Sequence, residues 1–214
     1  MQIRLPLDRK RKVMTSYENT RPIDPQVRIG HVHLKVADLE RSLRFYCGVL
    51  GFRLTQRYGT QAAFVSAGGY HHHIGLNSWE SLGGLPPPPG TTGLYHVAIL
   101  YPTRRSLADA LGRLIAANIT LDGASDHGVS EALYLRDPDD NGVELYWDRP
   151  QEAWPRTPEG KLAMFTRRLD LNGLLKEVEA NTNAPKVKCG HKTCKQTGSG
   201  SVRAARGWEP VRHT

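Results

Sequence analysis

One pattern occurs twice in this chain, and an internal repeat limits the fold more than any local preference does. The first copy begins RIGHVHLKVADLERSLRFYCGVLGF and the second GLYHVAILYPTRRSLADALGRLIAANI. Each opens with a short β-rich run carrying a histidine, His31 in one and His96 in the other. A polar break and an amphipathic helix follow. Leu39, Leu43, Tyr46, Cys47 and Leu50 fall on one helical face, and Leu107, Leu111, Leu114 and Ile115 on the other helix's. Gly51 and Asn118 stand where helices stop. Strand-like runs come next: FRLTQRY, AAFVSAG and YHHHIGLN, then ITLDGA, EALYLRD and GVELYWD. Asn141-Gly142 inside DPDDNG is a hairpin turn signal. Each copy thus reads β-α-β-β-β. A single unit leaves one sheet face bare, and two can bury those faces and enclose a cleft. The expectation is an α+β fold of two paired βαβββ modules, with mixed sheets curled around a cleft.

The pattern sets the boundaries. The repeat occupies residues 29–155, with modules at about 29–80 and 94–150. The connector SLGGLPPPPGTTG, residues 81–93, blocks both helix and ladder pairing through its prolines. Residues 156–180 form an extension with a short helix, in which Leu171, Leu174, Leu175 and Val178 recur at helical spacing. The formal charge of +8 raises the question of nucleic acid. Its distribution answers that question. Residues 1–28 hold seven Lys/Arg against three Asp/Glu, and 171–214 hold eight against three. The middle holds fourteen against fifteen. Basic ends on a neutral domain do not make a nucleic-acid-binding domain. The first 28 residues read as an irregular basic arm and 181–214 as a basic disordered tail. No apolar run reaches the roughly 18 residues of a membrane span, and the N-terminus lacks the apolar stretch of a secretory signal. Cys47, Cys189 and Cys194 cannot form a disulfide framework, so a cytoplasmic location is expected. Cys189, His191 and Cys194 lie close together but lack the second pair of ligands that structural zinc wants.

Seven of the nine histidines lie between positions 31 and 127. His31 and His33 share a face of the first strand. Alternation through YHHHIGLN puts Tyr70, His72, Ile74 and Leu76 on the apolar, inward face, with His71, His73 and Gly75 opposite. That reading makes His71 and His73 structural. His96 occupies in its copy the place of His31, and Glu144 lies in the last strand opposite Val143 and Leu145. First and last strands of both copies therefore each present a polar group: His31, His72, His96 and Glu144. If the copies face each other, the four can converge. Two imidazoles and one carboxylate on one face of an ion leave positions open for substrate and dioxygen. This donor set suits Fe(II), and less specifically Mn(II) or another divalent metal.

GHVHLKVADLERSLRFYCGVLGF, LYHVAIL and DPDDNGVELYWD resemble the vicinal oxygen chelate superfamily, which includes glyoxalase I, fosfomycin-resistance proteins and extradiol ring-cleavage dioxygenases. FVSAGGYHHHIGLN, SDHGVSEALYLRDP and VELYWDRP are similar to single-ring catechol 2,3-dioxygenases. The resemblance implies that His31, His96 and Glu144 hold the metal. It implies that His72 is an acid/base and that Tyr134, ten residues before the glutamate, bonds to substrate. His127 matches the place of a further histidine near the site, and His33, on the face of His31, can line the pocket. The implied substrates are a small aromatic diol and dioxygen, and small proteins of this architecture often form homodimers. The larger dioxygenases carry four modules and this chain carries two. Two other readings use the same fold: a glyoxalase-type lyase or isomerase, and a non-catalytic small-molecule-binding protein. Lyases of this type commonly place a carboxylate where this chain has His72.

The tail reading has a direct test. Removal of residues 181–214 should leave the melting temperature unchanged, and a large fall would show that the segment belongs to the core.

Overall fold

A computed structural model describes residues 21–179 of the chain. The tail, most of the basic arm, and Cys189, His191 and Cys194 lie outside the described residues. Two mixed sheets make up the fold. The first contains β1 (Val32–Lys35), β2 (Arg53–Tyr58), β3 (Ala62–Ser66) and β4 (Ile74–Asn77), in the order β1-β4-β3-β2. The second contains β5 (Val97–Leu100), β6 (Leu121–Asp126), β7 (Ser130–Arg136), β8 (Gly142–Asp148) and β9 (Arg167–Arg168), in the order β5-β8-β7-β6-β9. In each sheet the first strand runs parallel to the fourth strand of its copy, and the rest is antiparallel. The two copies even share an irregularity. Register slips between Leu54 and Gln56 in β2 and between Leu121 and Gly123 in β6. This is the expected α+β architecture of repeated βαβββ units.

Alternation accounts for the layers. Leu34, Ile74, Leu76, Val65 and Ala63 share one face of the first sheet and are buried. Val143, Leu145, Leu133 and Leu135 do the same in the second. Those apolar faces receive the helices. In the first copy, α1 (Leu39–Leu43) begins on Asp38, whose carboxylate accepts from the Arg41 N–H at 3.0 Å. The expected helix does not continue regularly. Residues Arg44–Val49 widen into a π-helical turn, and the Leu50 N–H reaches the Phe45 carbonyl five residues back. The extra residue turns Phe45 inward beside Tyr46, while Cys47 is only half-buried. In the second copy, α2 (Arg104–Ala116) buries Leu107, Ala108, Ala110, Leu111 and Leu114. Ile115, expected on that face, is exposed, because the stripe runs through the two alanines instead. Gly51 and Asn118 end the helices with positive φ, as stop residues do. Beyond the repeat, α3 (Leu171–Glu179) packs against α2 through Leu174, which is fully buried.

The modules meet at a buried turn. Asp137 to Asn141 join β7 to β8, and the left-handed residue is Asp140 (φ 64), not the expected Asn-Gly pair. Gly142 already belongs to β8, where a Cβ would come within 2.1 Å of the Tyr95 carbonyl oxygen. The turn projects two buried carboxylates onto the first module. Asp139 accepts from the Ala37 N–H (3.0 Å), the Ser42 hydroxyl (3.3 Å) and the Arg41 guanidinium. Asp137 accepts from the hydroxyl of the fully buried Tyr46 at 3.0 Å. Burial and the Asp137 charge push the Tyr46 phenol well above its usual range, so it stays a donor.

Asp139→Ala should cost about 1–3 kcal/mol, because the Ala37 N–H and the Arg41 guanidinium lose their acceptor, whereas the Ser42 hydroxyl keeps the Asp38 carbonyl at 3.0 Å. Urea unfolding measures it. A loss below about 0.5 kcal/mol would show that the turn does not couple the modules.

A candidate metal and acid–base site divided between the modules

The second module assembles its polar residues across a row of strands. Ala98 in β5, Glu144 in β8, Tyr134 in β7 and Gly123 in β6 are successive cross-strand partners, so they share the face turned away from α2. His96 stands just before β5. Its Nε2 lies 3.0 Å from Glu144 Oε2. Two donors held at ~2.1 Å by one ion at a right angle stand ~3 Å apart, so this spacing suits neighbouring metal ligands. Tyr134 lies beyond Glu144. Its phenol is pushed up to about 12, first by burial and then by the charge of Glu144. His127, in the turn after β6, brings Nε2 to 2.8 Å from the Tyr134 hydroxyl. A cavity of about 380 Å³ opens beside His96 and Tyr134, with Arg136 and Tyr95 also on its wall.

The first module collects a second group. His72 lies near His31, with ring centroids 4.4 Å apart, and near Phe64 at 4.9 Å. The reasoning that turned His72 inward is corrected by the strand limits. β4 starts only at Ile74, and residues 71–73 bend, so alternation does not reach His72. The face of Ile74 and Leu76 is the buried apolar one. Phe64, Gly75 and His33 are cross-strand neighbours on the opposite face, and His72 approaches that face. His71 is corrected as well. It does not point away, since its Nδ1 lies 2.7 Å from His72 Nδ1. At that distance one ring must donate and the other accept. Burial, and then the neighbouring His31, His71, His33 and His73, push His72 below the ordinary imidazole range. His33 lies flat over Gly75, where a Cβ would sit 2.9 Å from its ring, and it faces Phe64 and Trp79. Burial and His31 lower its pKa too. His73 is structural: its Nδ1 accepts from the Ala67 N–H at 3.3 Å, at the end of β3.

The four expected residues therefore come together as two pairs, His31 with His72 and His96 with Glu144. Among the described residues, no three His, Cys, Asp or Glu side chains stand close enough to hold one ion. Glu144 and His96 fit a metal by spacing and donor type. His31 fits by donor type and borders a cavity of about 360 Å³ whose other wall is β5, including Ala98, the neighbour of Glu144. Sequence reasoning set aside His71, and it gave no role to Phe64 or Trp79. The YHHHIGLN run was the only available signal for the first, and none pointed to the others.

Two mixed sheets from a duplicated βαβββ unit, with paired imidazole and carboxylate donors on one face, define a class of small-molecule-binding and metal-using folds. The chain belongs to the Glyoxalase/Bleomycin resistance protein/Dioxygenase superfamily, whose family model matches residues 28–145. It is 45% identical over 165 residues to a catechol-2,3-dioxygenase of Bacillus subtilis (strain 168), covering 76% of this chain and 57% of that protein. It is 34% identical over 130 residues to biphenyl-2,3-diol 1,2-dioxygenase 3 of Rhodococcus globerulus, covering 59% of this chain and 67% of the relative. A probable lactoylglutathione lyase of Synechocystis is 27% identical over 124 residues, which cover 54% of this chain and 91% of the lyase. The fold is that of a glyoxalase/dioxygenase crystal structure from Nostoc punctiforme, with a TM-score of 0.51 and 20% identity over 61% of this chain and 99% of that one. Among the described residues no helix is long and apolar enough to cross a membrane.

The raised Tyr134 phenol has a measurable consequence. The folded protein holds that proton up to about pH 12, whereas the ordinary tyrosine value is 10.0. The associated stability is present below pH ~10 and is lost as pH rises towards ~12. Between those values the metal-free wild type should lose stability faster than Tyr134→Phe. Parallel curves would show that Tyr134 titrates as an ordinary phenol.

Proposed function

We propose that the protein is a metal-dependent extradiol ring-cleavage dioxygenase acting on a catechol-type substrate. The observation that carries the reading is the His96–Glu144 contact at 3.0 Å, flanked by Tyr134 and His127 on one sheet face. His96 and Glu144 would hold the metal, and His31 from the equivalent place in the other module would complete a donor set of two imidazoles and a carboxylate if it joined them. That set suits Fe(II), and Mn(II) less specifically. When bound, such an ion would polarise two adjacent phenolic oxygens and leave a position for dioxygen.

The chain's own residues supply the proton chemistry. His72, kept in its neutral form near neutral pH, accepts a proton from a diol hydroxyl and later returns one to the leaving oxygen. His71, 2.7 Å from it, fixes which His72 nitrogen is free. Tyr134 stays protonated, and its hydroxyl forms a hydrogen bond with a substrate hydroxyl. Phe64, Trp79 and His33 offer flat, half-apolar surface for an aromatic ring. In this reading the enzyme is cytoplasmic and pairs with a second copy of itself.

One observation favours a second reading. The alignment spans 91% of the Synechocystis lyase but 57% of the Bacillus dioxygenase. The lyase is thus matched over most of its length, and the histidine at position 72 argues for the dioxygenase.

Anaerobic loading with Fe(II), followed by catechol in air, should give a yellow ring-cleavage product. His96→Ala should lose both metal and colour. His72→Ala should retain the metal and lose roughly 10²–10⁴-fold in rate. Bound metal without colour would transfer the assignment to the lyase, and no bound metal would make the protein a binding member of the superfamily.

A further inference from the structure

We infer that the extension beyond the repeat fixes the tautomer of His127, and through it the direction of the Tyr134 hydrogen bond. Thr166 and the Phe165 carbonyl are the positioning groups. The argument starts from the backbone. Residues 165–168 run beside β6, with Asp126 opposite Arg167 and Ser125 opposite Arg168. The Phe165 N–H donates to the His127 carbonyl at 3.3 Å. Phe165 is held from two sides. Its ring covers Gly128, where a Cβ would come within 2.6 Å of it, and the Arg167 guanidinium lies 4.4 Å over the ring. Gly128 has φ +76, in a turn whose N–H bonds to Asp126 Oδ1 at 2.8 Å. His127 therefore sits between two segments that fix each other.

Its ring nitrogens then have unequal surroundings. Nδ1 is 3.3 Å from the Phe165 carbonyl oxygen and 3.1 Å from Thr166 Oγ1. A carbonyl can only accept, so a bare Nδ1 would set lone pair against lone pair. The proton belongs on Nδ1, shared between carbonyl and hydroxyl. Nε2 is then the acceptor, and the only group at bonding distance from it among the described residues is the Tyr134 hydroxyl at 2.8 Å. Tyr134 has one proton and two candidate acceptors, His127 Nε2 and Glu144. Glu144 already has His96 Nε2 at 3.0 Å. With the Tyr134 proton on His127, each of these groups is satisfied once. The phenol oxygen consequently offers lone pairs to the cleft, and a diol hydroxyl donates to it. That last consequence rests on the dioxygenase reading, whereas the tautomer does not.

The test uses the full-length chain with ¹⁵N-labelled histidine, before metal loading, at about pH 8, where an ordinary imidazole is neutral. Long-range proton–nitrogen spectra report which ring nitrogen carries hydrogen, and His127→Gln assigns the signals. The expected wild-type spectrum shows protonated Nδ1 and bare Nε2. Tyr134→Phe should move only the Nε2 signal, through loss of its hydrogen bond. Thr166→Val should let the Nε2-protonated form appear, and Thr166→Ser should restore the single form. Protonated Nε2 in the wild type, or an Nε2 signal indifferent to Tyr134→Phe, overturns the inference. A Thr166→Val spectrum identical to the wild type overturns the part played by Thr166. Absence of ring-cleavage activity would leave these spectra unchanged and would count against the dioxygenase reading alone.

Discussion

The arrangement of the site depends on two carboxylates buried in one turn. Burying Asp137 and Asp139 is costly unless donors surround them, and here donors come from both modules. Within the turn, Asp137 accepts from the Asp139 and Asn141 N–H groups, both at 2.9 Å, and from the Asn141 amide. From the other module come Tyr46, Ala37, Ser42 and Arg41. Neither set alone would satisfy both acids. The turn is also continuous with the strands that matter. Arg136 faces Gly142 across its mouth, and two residues further in on each side stand Tyr134 and Glu144, themselves cross-strand partners. The contact that couples the modules thus lies one strand pair from the proposed chemistry.

The repeat made the architecture legible, because hydrophobic period and stop signals agreed in both copies. What failed were boundaries and local geometry. Parity carried past the end of a strand gave His72 the right neighbourhood for the wrong reason. Nothing in YHHHIGLN announces that the ladder begins only at Ile74, opposite Val65 near the end of β3, because where β3 lies is a tertiary fact. The π-helical turn was equally hidden. A regular helix brings Cys47 inward with Leu43, and one inserted residue trades that for Phe45. His96, Glu144 and Tyr134 were legible because their places follow from the repeat and the resemblance. Thr166 and Phe165 were not, because they lie beyond the repeat and act through a backbone carbonyl, which every residue has.

The two histidine-containing groups differ in electrostatics, and the difference matches their proposed tasks. In the second module each donor meets an acceptor: His96 meets Glu144, and His127 meets Tyr134 and a carbonyl. In the first module, imidazoles meet imidazoles. Burial first, and then the neighbouring His31 and His71, lower the pKa of His72. The lowered pKa favours the neutral form of His72, which a proton acceptor requires. Glycine at position 75 adds to this, because it lets His33 lie close enough to be desolvated.

The strand added by the extension also gives the second sheet an asymmetry that the repeat lacks. β2 is the outer strand of its sheet and is exposed along its length, whereas its counterpart β6 is covered by β9. Duplication alone would have left both edges alike; among the described residues the edge is closed in the module that holds His96, Glu144 and Tyr134. Closing it stabilises that edge, and it also puts an acceptor behind His127, where solvent would otherwise choose between the two tautomers. A histidine whose proton is placed by rigid backbone can define the direction of a hydrogen bond two groups away. In this fold that direction ends at the phenol facing the candidate metal ligands.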